Sequence, residues 1–226
     1  MEMSLLDTCI DALALLFSGN YELWGIIWVS FCVSITAVLI SAVPAITVGF
    51  LLAMVDFPGR WMVIALFNAL MAIPTVVVGL TLYLLLSRSG PFSELHLLFS
   101  QPAMVIGQVL LCFPVLVCMS HAAFQGIDRR AWETARTLGA HCGRAALTIA
   151  CEARFALLGA MLAGFSRIIS EVGCSMMVGG NILGYTRNIP TAIALETSKG
   201  DFSQGVALGL VLLVLALVLN FTLASV

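Results

Sequence analysis

Between Glu22 and Asp56 the chain carries no charged residue, and no other feature limits its fold as strongly. A bilayer core is crossed by about 20 apolar helical residues, whereas a helix on the surface of a soluble protein keeps a polar face. The run therefore predicts a transmembrane helix over about 24–54. Trp24 and Trp28 stand near its start as interfacial anchors, and Pro44 is expected to kink it. Three further runs, between Arg60 and Arg88, between Glu94 and Asp128, and after Asp201, are also free of charge. They place spans at about 61–86, holding Pro74, at about 102–124, holding Pro102 and Pro114, and at about 203–225. A fifth is expected at about 153–176 despite Arg154, Arg167 and Glu171. Phe155 to Phe165 is apolar there, and an even number of crossings would put two loops on the wrong sides. With 61% hydrophobic and 10% charged residues, a water-soluble fold could not cover its apolar surface. The fold class is all-α: a polytopic membrane protein with about five transmembrane helices.

The cations set the orientation. Arg129, Arg130, Arg136, Arg144 and Arg154 supply half of the 10 Lys and Arg, and all lie in the connection between the third and fourth spans. The positive-inside rule places that connection in the cytoplasm. Alternation then puts the Asp56 to Arg60 turn and the C-terminus inside, and the N-terminus, the 88–100 loop and the 173–201 loop outside, in a multi-pass protein of the cell (inner) membrane. Arg88, Arg187 and Lys199 are the exceptions. Residues 1–20 have Leu5, Leu6, Cys9, Ile10, Leu13, Leu16 and Phe17 at helical spacing, so they are expected to form an amphipathic helix along one membrane face. Asp7, Asp11 and the lack of a basic start argue against a cleaved signal. Residues 21–226 read as one transmembrane domain without an internal repeat. The 7 cysteines form no CxxC pair and sit mostly in apolar runs, which points to neither a disulfide framework nor a zinc site.

The connection between spans three and four reads Asp128-Arg129-Arg130-Ala131-Trp132-Glu133-Thr134-Ala135-Arg136-Thr137-Leu138-Gly139-Ala140. Trp132, Ala135 and Leu138 are spaced for one face of a short helix, and Arg129, Glu133 and Arg136 fall on another, where they can pair. Asp128 is placed as the N-terminal cap and Gly139 as the stop. A rigid projection of this kind suits a groove on a cytoplasmic partner; without a partner it would be an amphipathic interfacial loop. Glu133-Thr134-Ala135, followed by three residues and Gly139, resembles the E-A-A-x-x-x-G signature of ABC importer permeases, with Thr134 in place of an alanine. The resemblance implies a coupling helix in which Trp132, Glu133, Thr134, Ala135, Leu138 and Gly139 dock on an ABC ATPase subunit. That family commonly has Leu-Pro further on, where this chain has Cys151-Glu152, so the start of the fourth span is expected to differ in shape.

A second likeness is Arg167-Ile168-Ile169-Ser170-Glu171-Val172-Gly173, similar to the R-x-x-x-E-x-G segment of oxyanion-type permeases. Arg167 and Glu171 stand four apart on one helical face and can neutralise each other at depth. With Ser170 and Gly173 they belong either to the translocation pathway or its gate, or to a structural ion pair holding two helices together. The stretch from Gly179 to Phe202 is long for a loop in a compact membrane protein, which favours function. Thr186, Asn188, Thr191, Thr197 and Ser198 offer neutral donors to an anion, and Arg187 and Lys199 add positive potential, so together they are expected to form an external anion mouth.

This stretch, with Ser170 to Gly173, resembles tungstate-specific ABC permeases, and the likeness runs from about Glu22 onward. It implies a permease homodimer with its pathway at the two-fold interface, cytoplasmic ABC ATPase subunits, and an external substrate-binding protein that delivers an oxyanion. Import would be driven by ATP hydrolysis on the partner. Tungstate is the first expectation, and molybdate or sulfate the alternatives.

No Walker A sequence occurs, so no catalytic residue or cofactor is expected here. His96, His121 and His141 lack a second ligand at metal spacing, so no metal is expected. The 10 methionines read as packing residues, and Asn220-Phe221-Thr222 fits a glycosylation pattern only inside a span. A stand-alone secondary transporter would show repeated halves and ionisable residues in several spans. A membrane-embedded enzyme would need a convergent His, Cys or carboxylate set.

Overall fold

The computed structural model describes residues 21–224, so the amphipathic helix expected over 1–20 lies outside the described residues. Every regular element among them is helical. In chain order these are α1 (Tyr21–Met54), α2 (Arg60–Met71), α3 (Thr75–Leu86), a 3-10 turn at Ser93–Leu95, α4 (Gln101–Gln125) and α5 (Arg129–Thr137). Then follow α6 (Cys142–Glu152), α7 (Arg154–Ile169), α8 (Gly173–Gly179), α9 (Ile189–Lys199) and α10 (Phe202–Ala224).

Helices α1 and α4 are each long and apolar enough to cross a membrane, and they form the central pair. The 34 residues of α1 extend about 51 Å, well beyond a hydrocarbon core of about 30 Å. Ser30, Ser34, Ala37, Ser41, Ala45 and Gly49 recur every three or four residues along it and are all buried. Such small side chains let two helix backbones approach closely. At the tightest point, a Cβ added to Gly49 would stand 2.7 Å from Ser120 Cβ of α4. Around this seam Val38, Leu52, Cys112, Leu116 and Val117 pack with Phe165 and Ile168 of α7. Both helices continue through their internal prolines, Pro44 and Pro114.

The span expected at 61–86 is instead two helices, α2 and α3, meeting at 92°. Pro74 is the cause. It disfavours helical geometry at Ile73 and offers no N–H to continue the ladder, so α2 closes at Ala72 and Pro74 becomes the N-cap of α3. Each half has 12 residues and reaches about 18 Å, too short to cross alone. The span expected at 153–176 also divides. Helices α6 and α7 meet at 72° beside Cys151-Glu152, and α7 ends at Ile169 with Ser170 to Val172 between it and α8. The 173–201 segment is not a loop throughout, because α8 and α9 occupy much of it. Ile189 and Ala192 of α9 fill a core with Leu23, Ile26 and Ile27 of α1 and Ala207 and Leu208 of α10.

Candidate functional site

Helix α5 is capped at both ends, as its sequence predicts. The Asp128 carboxylate accepts from the Arg130 N–H at 2.9 Å. At the other end Gly139 takes φ +84°, and the Ala140 N–H donates to the Ala135 carbonyl at 3.0 Å. A glycine in the left-handed region closing a helix in this way satisfies carbonyls that the ladder leaves open. The helix is carried on aromatic rings: Trp132 meets Phe50 of α1 edge-on at 5.6 Å, and Phe50 meets Phe124 of α4 at 5.2 Å.

Two expectations about α5 change. Trp132 and Ala135 turn toward the body of the protein, while Leu138, expected on the same face, is 82% exposed because it already lies in the closing turn. Arg129, Glu133 and Arg136 make no direct salt bridge with one another, although the Glu133 charge acts favourably on Arg129. The Arg129 guanidinium reaches Asp56 at 2.6 Å, and Arg136 donates to the Ala140 carbonyl at 2.9 Å. Asp56 also accepts from Arg60 at 2.8 Å, and its hydrogen bond from Arg129, followed by the charge of that residue, holds its carboxyl below the usual range. The outward surface of α5 and its closing turn therefore includes Arg130, Glu133, Thr134, Arg136, Thr137 and Leu138.

A second cluster forms where the two breaks meet. A Cβ on Gly173 would stand 2.7 Å from Val76 Cγ2 and 3.2 Å from Thr75 Oγ1, so the start of α8 rests on the start of α3. Further along, Gly79 faces Cys174 and Met177, so the two short helices run parallel from a shared origin. Arg167 and Glu171 form the predicted i,i+4 pair at 3.3 Å. Glu171 is 5% exposed, and its other oxygen accepts from the Cys174 N–H at 3.2 Å. One carboxylate thus neutralises Arg167 and fixes the bend between α7 and α8. Arg167 is half-exposed and Ser170 is exposed beside it. Deeper in, Gln108 of α4 donates to Ser175 of α8 at 2.9 Å, a buried polar contact that sequence reasoning missed.

The donors assigned to the external mouth are mostly turned inward. Thr186 is buried, with Oγ1 donating to the Gly179 carbonyl at 2.6 Å and accepting from the Ile182 N–H at 2.9 Å. Asn188 and Thr191 cap α9 reciprocally: Asn188 Oδ1 accepts from the Thr191 N–H, and Thr191 Oγ1 accepts from the Asn188 N–H, both at 3.1 Å. The Ile189 N–H then donates to Ser30 Oγ of α1 at 2.7 Å. Arg187 faces Glu22 at 3.7 Å, and Lys199 pairs with Glu196 at 2.9 Å. Thr197 and Ser198 are exposed, and the Ser198 hydroxyl donates to the Leu195 carbonyl at 2.6 Å. The signal for the others was present in Asn188-Ile189-Pro190-Thr191, a cap residue with proline in the first turn and a hydroxyl three positions on.

These features define an α-helical integral membrane protein with broken helices and a short, capped helix projecting between α4 and α6. No protein-family model matches the chain. Among curated proteins it is 36% identical over 214 residues to the tungstate uptake system permease protein TupB of Peptoclostridium acidaminophilum, covering 95% of this chain and 94% of that protein. It is 40% identical over 197 residues to a probable anion ABC transporter permease protein of Haloferax volcanii, with 85% of each covered. To the molybdenum transport system permease protein ModB of Escherichia coli (strain K12) it is 30% identical over 205 residues, covering 86% and 89%. The chain belongs to the family of anion ABC transporter permeases.

Proposed function

We propose that this chain is the membrane-spanning subunit of an ABC importer that carries an oxyanion, tungstate before molybdate or sulfate, into the cytoplasm. ATP is hydrolysed on a separate subunit. The observation that supports this reading most is α5, a short helix capped at both ends whose Glu133, Thr134 and Leu138 face away from the body. Those residues seat in a groove of the ATPase, while Trp132 and Ala135 hold the helix to the permease and Gly139 ends it. Five crossings are made by α1, the bent pair α2 and α3, α4, the bent pair α6 and α7, and α10. The arginines around α5 keep it in the cytoplasm, with the N-terminus outside and the C-terminus inside.

The gate in this reading is the meeting point of the two breaks, where Gly173 rests on Thr75 and Val76 and where Arg167, Ser170 and Glu171 gather. Two copies pair with the pathway along their two-fold interface. At the outer side Arg187 and Lys199 are offset by carboxylates, and Thr186, Asn188 and Thr191 shape the mouth instead of touching the anion. High-affinity selection then belongs to an external binding protein, and the permease separates oxyanions of equal charge poorly.

The test is uptake of labelled tungstate into vesicles that hold the permease and the P-loop ATPase that co-purifies with it, with the external binding protein added outside and molybdate and sulfate as competitors. Uptake that needs ATP inside supports the reading. Uptake by the permease alone, driven by an ion gradient, would overturn it in favour of a secondary transporter.

A further inference from the structure

The α1–α2 corner links α5 to the junction of α7 and α8. Asp56, in the turn after α1, takes two guanidiniums at once: Arg60, the first residue of α2, at 2.8 Å, and Arg129, the first residue of α5, at 2.6 Å. Arg60 also donates to the Ala53 carbonyl at 3.3 Å. That carbonyl lies in the last turn of α1, where open acceptors and the negative helix end favour a cation. Beyond Arg60, α2 is a rigid piece about 18 Å long in which no residue is fully buried. It leans on α4 through side chains such as Phe67 on Phe113, with ring centroids 6.0 Å apart, and Asn68, whose Oδ1 accepts from the Cys118 thiol at 3.4 Å. Its far end is the break at Pro74, and the next residues, Thr75 and Val76, touch Gly173 beside the Arg167–Glu171 pair.

We propose that α2 is a connecting rod between α5 and the junction of α7 and α8, and that Asp56 is the positioning residue that fastens the rod to α5. The proposal rests on the reading of α5 as the ATPase-docking helix. When α5 moves, Arg129 draws Asp56 with it, and Arg60, sharing the same carboxylate, carries the displacement into α2. The 92° turn at Pro74 converts movement along α2 into a sideways shift of the start of α3 against Gly173. An exposed ion pair contributes little to folding, so the link can be cut in a folded protein. The competing route is direct: α4 leads through Gly126 to Asp128 into α5, and a stroke carried by α4 alone would leave Asp56 dispensable.

The experiment uses the full permease with its ATPase in proteoliposomes, with Cys9, Cys32, Cys118, Cys142 and Cys151 replaced by serine and with Ser170→Cys as a reporter. Maleimide labelling of this cysteine is compared with and without a non-hydrolysable ATP analogue. Nucleotide should change the labelling rate in the parent, and the change should be lost in Asp56→Ala and in Arg129→Ala. Arg129→Lys, which keeps the charge, should restore it, while co-purified ATPase and basal ATP hydrolysis stay at parental levels throughout. An undiminished change in Asp56→Ala would overturn the rod in favour of α4. Arg129→Lys behaving like Arg129→Ala, or ATPase association falling in step with the response, would reduce the pair to a docking or folding contact and overturn it as well. If the parent itself co-purifies with no ATPase, the docking reading fails and takes the rod with it.

Discussion

Helix α5 turns Glu133, Thr134, Thr137 and Leu138 outward, whereas the segment leading into α9 turns Thr186, Asn188 and Thr191 inward. Both segments are rich in hydroxyls and charges, and both are capped at the N-terminus by an Asx side chain. The difference lies in what surrounds them. Helix α5 touches the body along one face only, so its other face keeps hydrogen-bonding capacity for a partner. The start of α9 is enclosed by α1 and α10, and a polar group buried there has to find its partner within the chain. The same residue types therefore make a docking surface in one place and a frame in the other.

The largest effect should come from breaking the frame. Asn188→Ala or Thr191→Ala removes half of a buried reciprocal cap, at a cost of about 1–3 kcal/mol. The expected result is a lower thermal unfolding midpoint in detergent with an unchanged KM for uptake by the protein that remains folded. A raised KM at normal stability would return these residues to the anion path.

Next comes the stop of α5. Gly139 has open space around its Cβ position, so Gly139→Ala costs only the left-handed backbone, about 1–2 kcal/mol, and loosens the last turn by roughly tenfold. Glu133→Lys is at an exposed position and loses only a solvent-screened attraction to Arg129, so it should change stability by about 0.5 kcal/mol or less. Both variants should insert normally and lose uptake per ATP hydrolysed. Wild-type coupling in either would remove α5 as the docking helix.

A smaller effect attaches to Asp56. Its folded pKa lies below the ordinary 3.8, so its pairing is present above that value and is lost as pH falls through the depressed one. The difference in unfolding midpoint between wild type and Asp56→Asn should stay flat from neutral pH down to about 4 and close only below it. Closure nearer neutrality would assign the effect to another group.

The smallest change is expected at Arg187 and Lys199, each of which faces a carboxylate. Arg187→Ala or Lys199→Ala should slow uptake at low substrate by less than about twofold, and added salt should erase the effect. A large loss at saturating substrate would place one of them in the path itself.

Much of this arrangement was legible in the chain. Runs without charge mark membrane helices because the cost of burying charge is local, and the Asp128 to Gly139 segment declares its own caps because capping involves residues only a few positions apart. Pro74 could be read as a disturbance, but a proline states only that the ladder is interrupted. Pro44 and Pro114 lie inside helices that continue, while Pro74 starts a new one at 92°. Thr75 and Val76 pack against Gly173 at that break, and nothing near Pro74 in the sequence announces this contact.

A bundle of apolar helices carrying an exposed, capped helix can be read from the residues alone, because hydropathy and caps act over one or two helical turns. Where the polar side chains point depends on packing between distant segments. A threonine hydroxyl serves an anion, a groove or its own backbone equally well, and the choice falls to whichever partner burial leaves within reach. Thr191 therefore closes a cap, and Asp56 reaches across 73 residues to Arg129.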